Sequence, residues 1–127
     1  MFGPLPAYGF YVRHARGITF TDVKLEFRHE DQRPALVMDD VHDVQITGLV
    51  ADIGVDAPAF VWLNQVHGAR IGNSQPSKPT GTFLRVDGAQ SRNIVLSQDR
   101  LADVRELVAT GKEVPPDAVK VAARPTR

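Results

Sequence analysis

The sequence predicts an all-β protein, a parallel β-helix of about four coils closed by a short C-terminal helix. Three observations carry this. The chain repeats itself about every 25 residues. Each copy holds two short runs in which apolar residues alternate with others. A residue tolerant of left-handed backbone precedes each second run.

The copies are Phe10–Phe20, Leu36–Ile46, Val61–Ile71 and Leu84–Leu96. Ile18, Val44, Ala69 and Ile94 open their second runs at spacings of 26, 25 and 25 residues, and the fourth copy carries two extra residues in its turn. In the first run, Phe10/Val12, Leu36/Met38, Val61/Leu63 and Leu84/Val86 point to one side. In the second, Ile18/Phe20, Val44/Ile46, Ala69/Ile71 and Ile94/Leu96 do the same. A period of two is that of a strand buried on one face. Gly17, Asp43, Gly68 and Asn93 stand before the second runs, and these residue types accept a positive φ with little strain. One such copy cannot bury its own apolar face, but stacked copies can, with equivalent residues about 4.8 Å apart. The Leu-x-x-Leu-x-Leu-x-x-Asn pattern of leucine-rich repeats, which share this period, is missing. An unrelated mixed α/β fold is the remaining alternative.

After Leu96 the pattern changes. Leu101, Val104, Leu107 and Val108 recur at helical spacing, with Ser97 or Asp99 as an N-cap and Gly111 as a left-handed C-cap. Pro115-Pro116 ends any continuation, and residues from Asp117 onward read as tail. The expected division is therefore coils over residues 1–98 and a capping helix with tail over residues 99–127. Such a helix would cover an open sheet edge that otherwise invites pairing with another chain.

Composition narrows the function classes. The 127 residues hold 15 Lys and Arg against 15 Asp and Glu, which argues against a generally basic nucleic-acid binder. There is no cysteine, hence no disulfide framework and no thiolate metal site. No apolar run approaches the roughly 18 residues of a membrane-spanning helix. Met1–Tyr8, with two prolines, a glycine and no basic residue, does not read as an export signal. No nucleotide-binding glycine motif and no nucleophile–base pair stands out, so neither a cofactor nor a metal is expected.

The segments Phe2-Gly-Pro-Leu-Pro-Ala-Tyr-Gly-Phe-Tyr-Val-Arg-His14 and Asp31-Gln-Arg-Pro-Ala-Leu-Val-Met-Asp-Asp40 resemble the late coils of polygalacturonase-like proteins, glycoside hydrolase family 28. The resemblance spans roughly Phe2 to Leu96. It implies a right-handed parallel β-helix, secreted or periplasmic, whose full-length parent hydrolyses pectic polysaccharides and carries many coils before this stretch. The family's Asn-Thr-Asp, Gly-Asp-Asp, Gly-His-Gly and Arg-Ile-Lys signatures are absent. Glycoside hydrolysis needs two carboxyl groups, one to protonate the leaving oxygen and one to activate water or attack. The positions that match the family's acidic pair hold Ala7-Tyr8, Arg33-Pro34, Pro58-Ala59 and Gly81-Thr82, none of them acidic. The resemblance thus implies a non-catalytic C-terminal part of a pectin-acting enzyme. The alternative is a free-standing carbohydrate-binding or interaction module.

Candidate binding residues follow from the repeat. Outward positions of the first run form the column Tyr11, Val37, Trp62 and Arg85, in which aromatic faces suit sugar rings and Arg suits carboxylates. Tyr8 and Arg33 sit at the approach to the strands, near the place the family uses for substrate. A second column, Arg16, His42, His67 and Arg92, is a weaker candidate for an anionic polymer. Two stacked histidines without a third ligand make a poor metal site. Asp39-Asp40 follows a strand at the turn and reads as an ion pair with Arg13 and His14 of the neighbouring coil. The first coil, with Phe10, Val12, Ile18 and Phe20 on an unpaired edge, is expected to support self-association.

Overall fold

The computed structural model describes residues 7–77, 80–97 and 104–121; the side chains of Thr80, Val104 and Arg105 are also outside the description. Every regular element among them is a β-strand, and all strand pairs are parallel. In chain order the strands are β1 (Phe10–Thr21), β2 (Lys24–Leu25), β3 (Leu36–Thr47), β4 (Val50–Ala51) and β5 (Val61–Gly72). They continue with β6 (Gln75–Pro76), β7 (Thr80–Asp87), β8 (Arg92–Ser97), β9 (Val104–Thr110) and β10 (Val119–Val121).

The long strands stack in the order β1-β3-β5-β7-β9, with β8 between β5 and β10; β2-β4-β6 form a separate small sheet. The result is a β-solenoid of about four turns. Its register is the one the repeat predicts. Phe10 pairs with Leu36, Leu36 with Val61, and Val61 with Leu84. Ile18, Val44, Ala69 and Ile94 likewise follow one another rung by rung.

Each coil bends where the backbone turns left-handed. Gly17, Asp43, Gly68 and Asn93 all have positive φ, between 57° and 87°, as expected. Two further columns do the same: His14, Asp40, Gln65 and Gly88 before it, and Asp22, Gly48 and Asn73 after it. The first of these escapes sequence reading because it mixes four residue types, and Gln is a poor marker of left-handed backbone. In β1, β3 and β5 the strand runs continuously through its first two bends. The fourth coil breaks there into β7 and β8, because its two extra residues make a turn. Ser91 mends the break: it is fully buried, and its hydroxyl donates to Asp87 O and accepts from Val66 N.

The interior is apolar apart from the buried Ser74 and Ser91, with Met38, Ile46, Leu63, Ile71, Phe83 and Val86 among its fully enclosed residues. Phe60 and Phe83 stack one rung apart, ring centroids 5.3 Å from each other. By contrast Val12, Ile18 and Phe20 in β1 are only partly buried, and Phe10 is 39% exposed.

Among the described residues no C-terminal helix is formed. Val104–Thr110 is the strand β9, which pairs with β7 through Thr82↔Glu106, Leu84↔Val108 and Val86↔Thr110. Asp99 and Leu101, on which the helical reading partly rested, lie outside the described residues. The unpaired N–H and C=O groups of the β7 edge outweigh a short run's helical preference, since a strand satisfies them and a helix cannot. The presumed tail also belongs to the fold: Val119–Val121 pairs with Ile94–Leu96 as a fifth rung. Gly111 is no helix cap. It lies over Asp87, where a Cβ would come within 2.3 Å of Oδ1, and its N–H donates to Val86 O at 2.9 Å.

Candidate functional site

The outward positions of the first-run sheet form two adjacent columns. Tyr11, Val37, Trp62 and Arg85 occupy successive rungs of one. Arg13, Asp39, Asn64 and Asp87 occupy the same rungs two positions along the chain, on the same face. Together, all but Arg13 line a shallow groove of about 320 Å³.

Within it, Val37 is nearly covered, at 6% exposure, while Tyr11 and Trp62 on either side are half-buried. The Arg85 guanidinium lies 4.6 Å from the centroid of the Trp62 ring. Asp87 holds both: its Oδ2 accepts from Trp62 Nε1 at 2.7 Å and from Arg85 Nε at 2.8 Å. One rung row further, Asn64 Nδ2 donates to Asp39 Oδ1 at 3.2 Å, and Arg13 Nε stands 3.7 Å from Asp39 Oδ2. The face is an apolar strip beside a row of oxygen acceptors. Its two arginines are each already opposite a carboxylate.

The structure brings three of the five predicted site residues together: Tyr11, Trp62 and Arg85. Tyr8 and Arg33 do not line this groove. The Tyr8 hydroxyl donates to the backbone oxygen of Asp52, and its ring packs on Phe27 with centroids 5.3 Å apart. Burial, with Asp52 and Asp31 nearby, pushes the Tyr8 phenol up to about 12. Arg33 is folded back on Asp31, with Nε donating to Oδ1 at 2.9 Å and Nη2 to Oδ2 at 2.6 Å. That hydrogen bonding holds the Asp31 carboxyl below its usual range and raises the Arg33 guanidinium. Both side chains fasten the loop that precedes β3.

Asp87 and Asn64 line this groove and were passed over by the sequence reading. Their signal was available, since they stand two positions beyond Arg85 and Trp62 in a period-two strand. What concealed Asp87 was the two-residue insertion just after it.

The Asp39-Asp40 reading holds: Asp39 faces Arg13, and Asp40 Oδ2 pairs with His14 Nδ1 at 2.6 Å. His42 and His67 stack edge-on with centroids 5.6 Å apart, in a groove shared with Arg92. Among the described residues no three His, Cys, Asp or Glu side chains converge to hold a metal ion. A further groove, of about 540 Å³, runs over the second-run sheet beside Gln45, Arg70 and Lys120, and no aromatic side chain lines it.

Compared with known protein families, curated proteins and solved structures, the chain matches none. Its class is therefore defined by its fold, a parallel β-solenoid.

Proposed function

We propose that this chain is a non-catalytic, polysaccharide-contacting β-helix segment, the C-terminal part of a pectin-acting glycoside hydrolase of the polygalacturonase-like family. The coil sense in this reading is right-handed, as in nearly all parallel crossovers, and the parent acts outside the cytoplasm. The observation that carries the reading is the Tyr11–Val37–Trp62–Arg85 strip with Asp39, Asn64 and Asp87 beside it. Sugars present C–H faces to apolar strips and hydroxyls to oxygen acceptors, and this groove offers both side by side. Its open, straight run across several rungs suits a linear chain better than an enclosed small molecule.

Catalysis is assigned to the parent's other coils. Asp39 and Asp87, the carboxylates on this face, are held by Arg13 and Arg85. Each also accepts a hydrogen bond from within the face, Asp39 from Asn64 and Asp87 from Trp62, so both serve to position neighbouring side chains.

The test uses the whole chain. Trp62 is the only tryptophan, so its emission reports this face alone. Titration with oligosaccharides from pectic polymers gives a saturable change in emission, and Trp62→Ala abolishes binding measured calorimetrically. A reducing-end assay on the same polymers shows no turnover above blank. Turnover, or binding that survives Trp62→Ala, would overturn the reading.

A further inference from the structure

We infer that the ligand of the Tyr11–Trp62–Arg85 face is an uncharged, hydroxyl-rich glycan strand rather than a polyuronate. The inference rests on the reading of this face as a carbohydrate site and narrows its substrate class. Pectic polymers contain both kinds of chain, a uronate backbone and neutral side chains, so the distinction is a real choice.

The argument is one of charge and of hydrogen-bond direction. A polyuronate needs cations with donors to spare. Arg85 is the cation within the groove, and two of its binding modes are engaged. Its Nε donates to Asp87, and its plane lies over the Trp62 ring. The bidentate fork that makes arginine a good carboxylate receptor is thereby partly spent inside the protein. Arg13, at the end of the row, faces Asp39. The two arginines and two aspartates cancel, so the face draws no polyanion by its net charge.

What remains toward solvent is rich in acceptors. The side chains of Asp39 and Asp87 are 29% and 24% exposed. Asp87 Oδ1 accepts from no described residue, and each carboxylate oxygen has two lone pairs. Hydroxyl groups donate to such oxygens. A uronate carboxylate set on the same strip would meet two like charges one or two rungs away, at spacings of roughly 5–10 Å. The apolar part, Tyr11, Val37 and Trp62, serves either glycan equally, so the acceptor row sets the preference.

Two oligosaccharides of equal length separate the outcomes: galactotetraose as the neutral probe and tetragalacturonate as the anionic one. Binding is followed by Trp62 emission and by calorimetry at low and at high salt. The neutral probe binds, with an affinity that salt hardly changes, and binds more tightly than the uronate. In the Asp39→Asn/Asp87→Asn double variant the carboxamide oxygen at position 87 still accepts from Trp62 and that at position 39 from Asn64, while the like charges are gone and the arginines are released. Its affinity for tetragalacturonate rises by about tenfold or more. Unchanged Trp62 emission without ligand shows that the variant keeps its fold. Tighter, salt-sensitive binding of tetragalacturonate by the unsubstituted chain would overturn this inference and leave the carbohydrate site standing. Failure of both probes to move Trp62 or to release heat would overturn both.

Discussion

The Trp62 indole N–H and the Asp87 carboxylate meet at 2.7 Å across one rung of the solenoid, although 25 residues separate them. The same oxygen takes a second hydrogen bond from Arg85, on its own strand. One aspartate thus positions both the aromatic and the cationic member of the candidate face. Asp87→Ala should lower stability by about 1–2 kcal/mol, toward the lower end for bonds to a charged group because the Arg85 side chain is 41% exposed. Urea unfolding measures the loss, and a red shift of Trp62 emission shows the released indole. Arg13→Ala, which removes a longer and more exposed pair, should cost no more than about 1 kcal/mol.

The bend columns make a second prediction, with opposite signs at two positions. Gly88 has φ +99°, and a Cβ there would lie 2.5 Å from the Gln65 side chain. That amide is pinned by accepting from Gln90 N at 2.8 Å, so it cannot readily step aside. Gly88→Ala should destabilise by about 1–3 kcal/mol. Asp43 sits at φ +61° in a neighbouring column. Asp43→Gly relieves left-handed strain while making the unfolded chain more flexible, and a net gain of up to about 0.5 kcal/mol is expected. Thermal unfolding of both variants gives the comparison; a destabilised Asp43→Gly would mean that its carboxylate does more than occupy a bend.

Tyr8 makes stability depend on high pH. Its phenol titrates at about 12 in the folded chain against 10.0 for the unperturbed group. The folded state therefore favours the protonated phenol. Its contribution is complete below pH 10 and is lost as pH rises through about 12, where the folded form finally ionises. Stability measured from pH 9 to 12 should fall over that window, and Tyr8→Phe should flatten the fall while lowering stability at pH 9. An equal fall in Tyr8→Phe would assign the effect to other groups.

The first coil should support self-association. Among the described residues β1 pairs only with β3, which leaves one side of a 12-residue strand open. Phe10 and Phe20 lie together there, ring centroids 5.1 Å apart, and Phe10 is 39% exposed. An open edge with an apolar flank pairs with another chain. Light scattering over a concentration series should show dimers or larger species, and Phe10→Lys should reduce them. A strictly monomeric chain at high concentration would show that the edge is shielded.

The coils were legible because each rung repeats the same local physics. Val44, Ala69 and Ile94 recur at a constant spacing, each two residues before another large apolar residue, and follow a residue that accepts positive φ, so pattern alone places them in line. The C-terminal segment was misread for the converse reason. Val104, Leu107 and Val108 satisfy a helical spacing and a strand pairing equally well over so short a run, and only the open β7 edge decides between them.

Of the candidate site, the sequence determined the column Tyr11–Val37–Trp62–Arg85, because period-two alternation and a constant repeat length place those side chains on one face whatever the details of packing. It also determined the bend at Gly17, Asp43, Gly68 and Asn93. Only the tertiary structure decided the contacts. It turned Tyr8 inward to Asp52 and folded Arg33 onto Asp31, removing both from the face. It brought Asp87 within hydrogen-bonding distance of both Trp62 and Arg85. The physical reason is that backbone periodicity fixes which way a side chain points, whereas its partner depends on atoms one coil away.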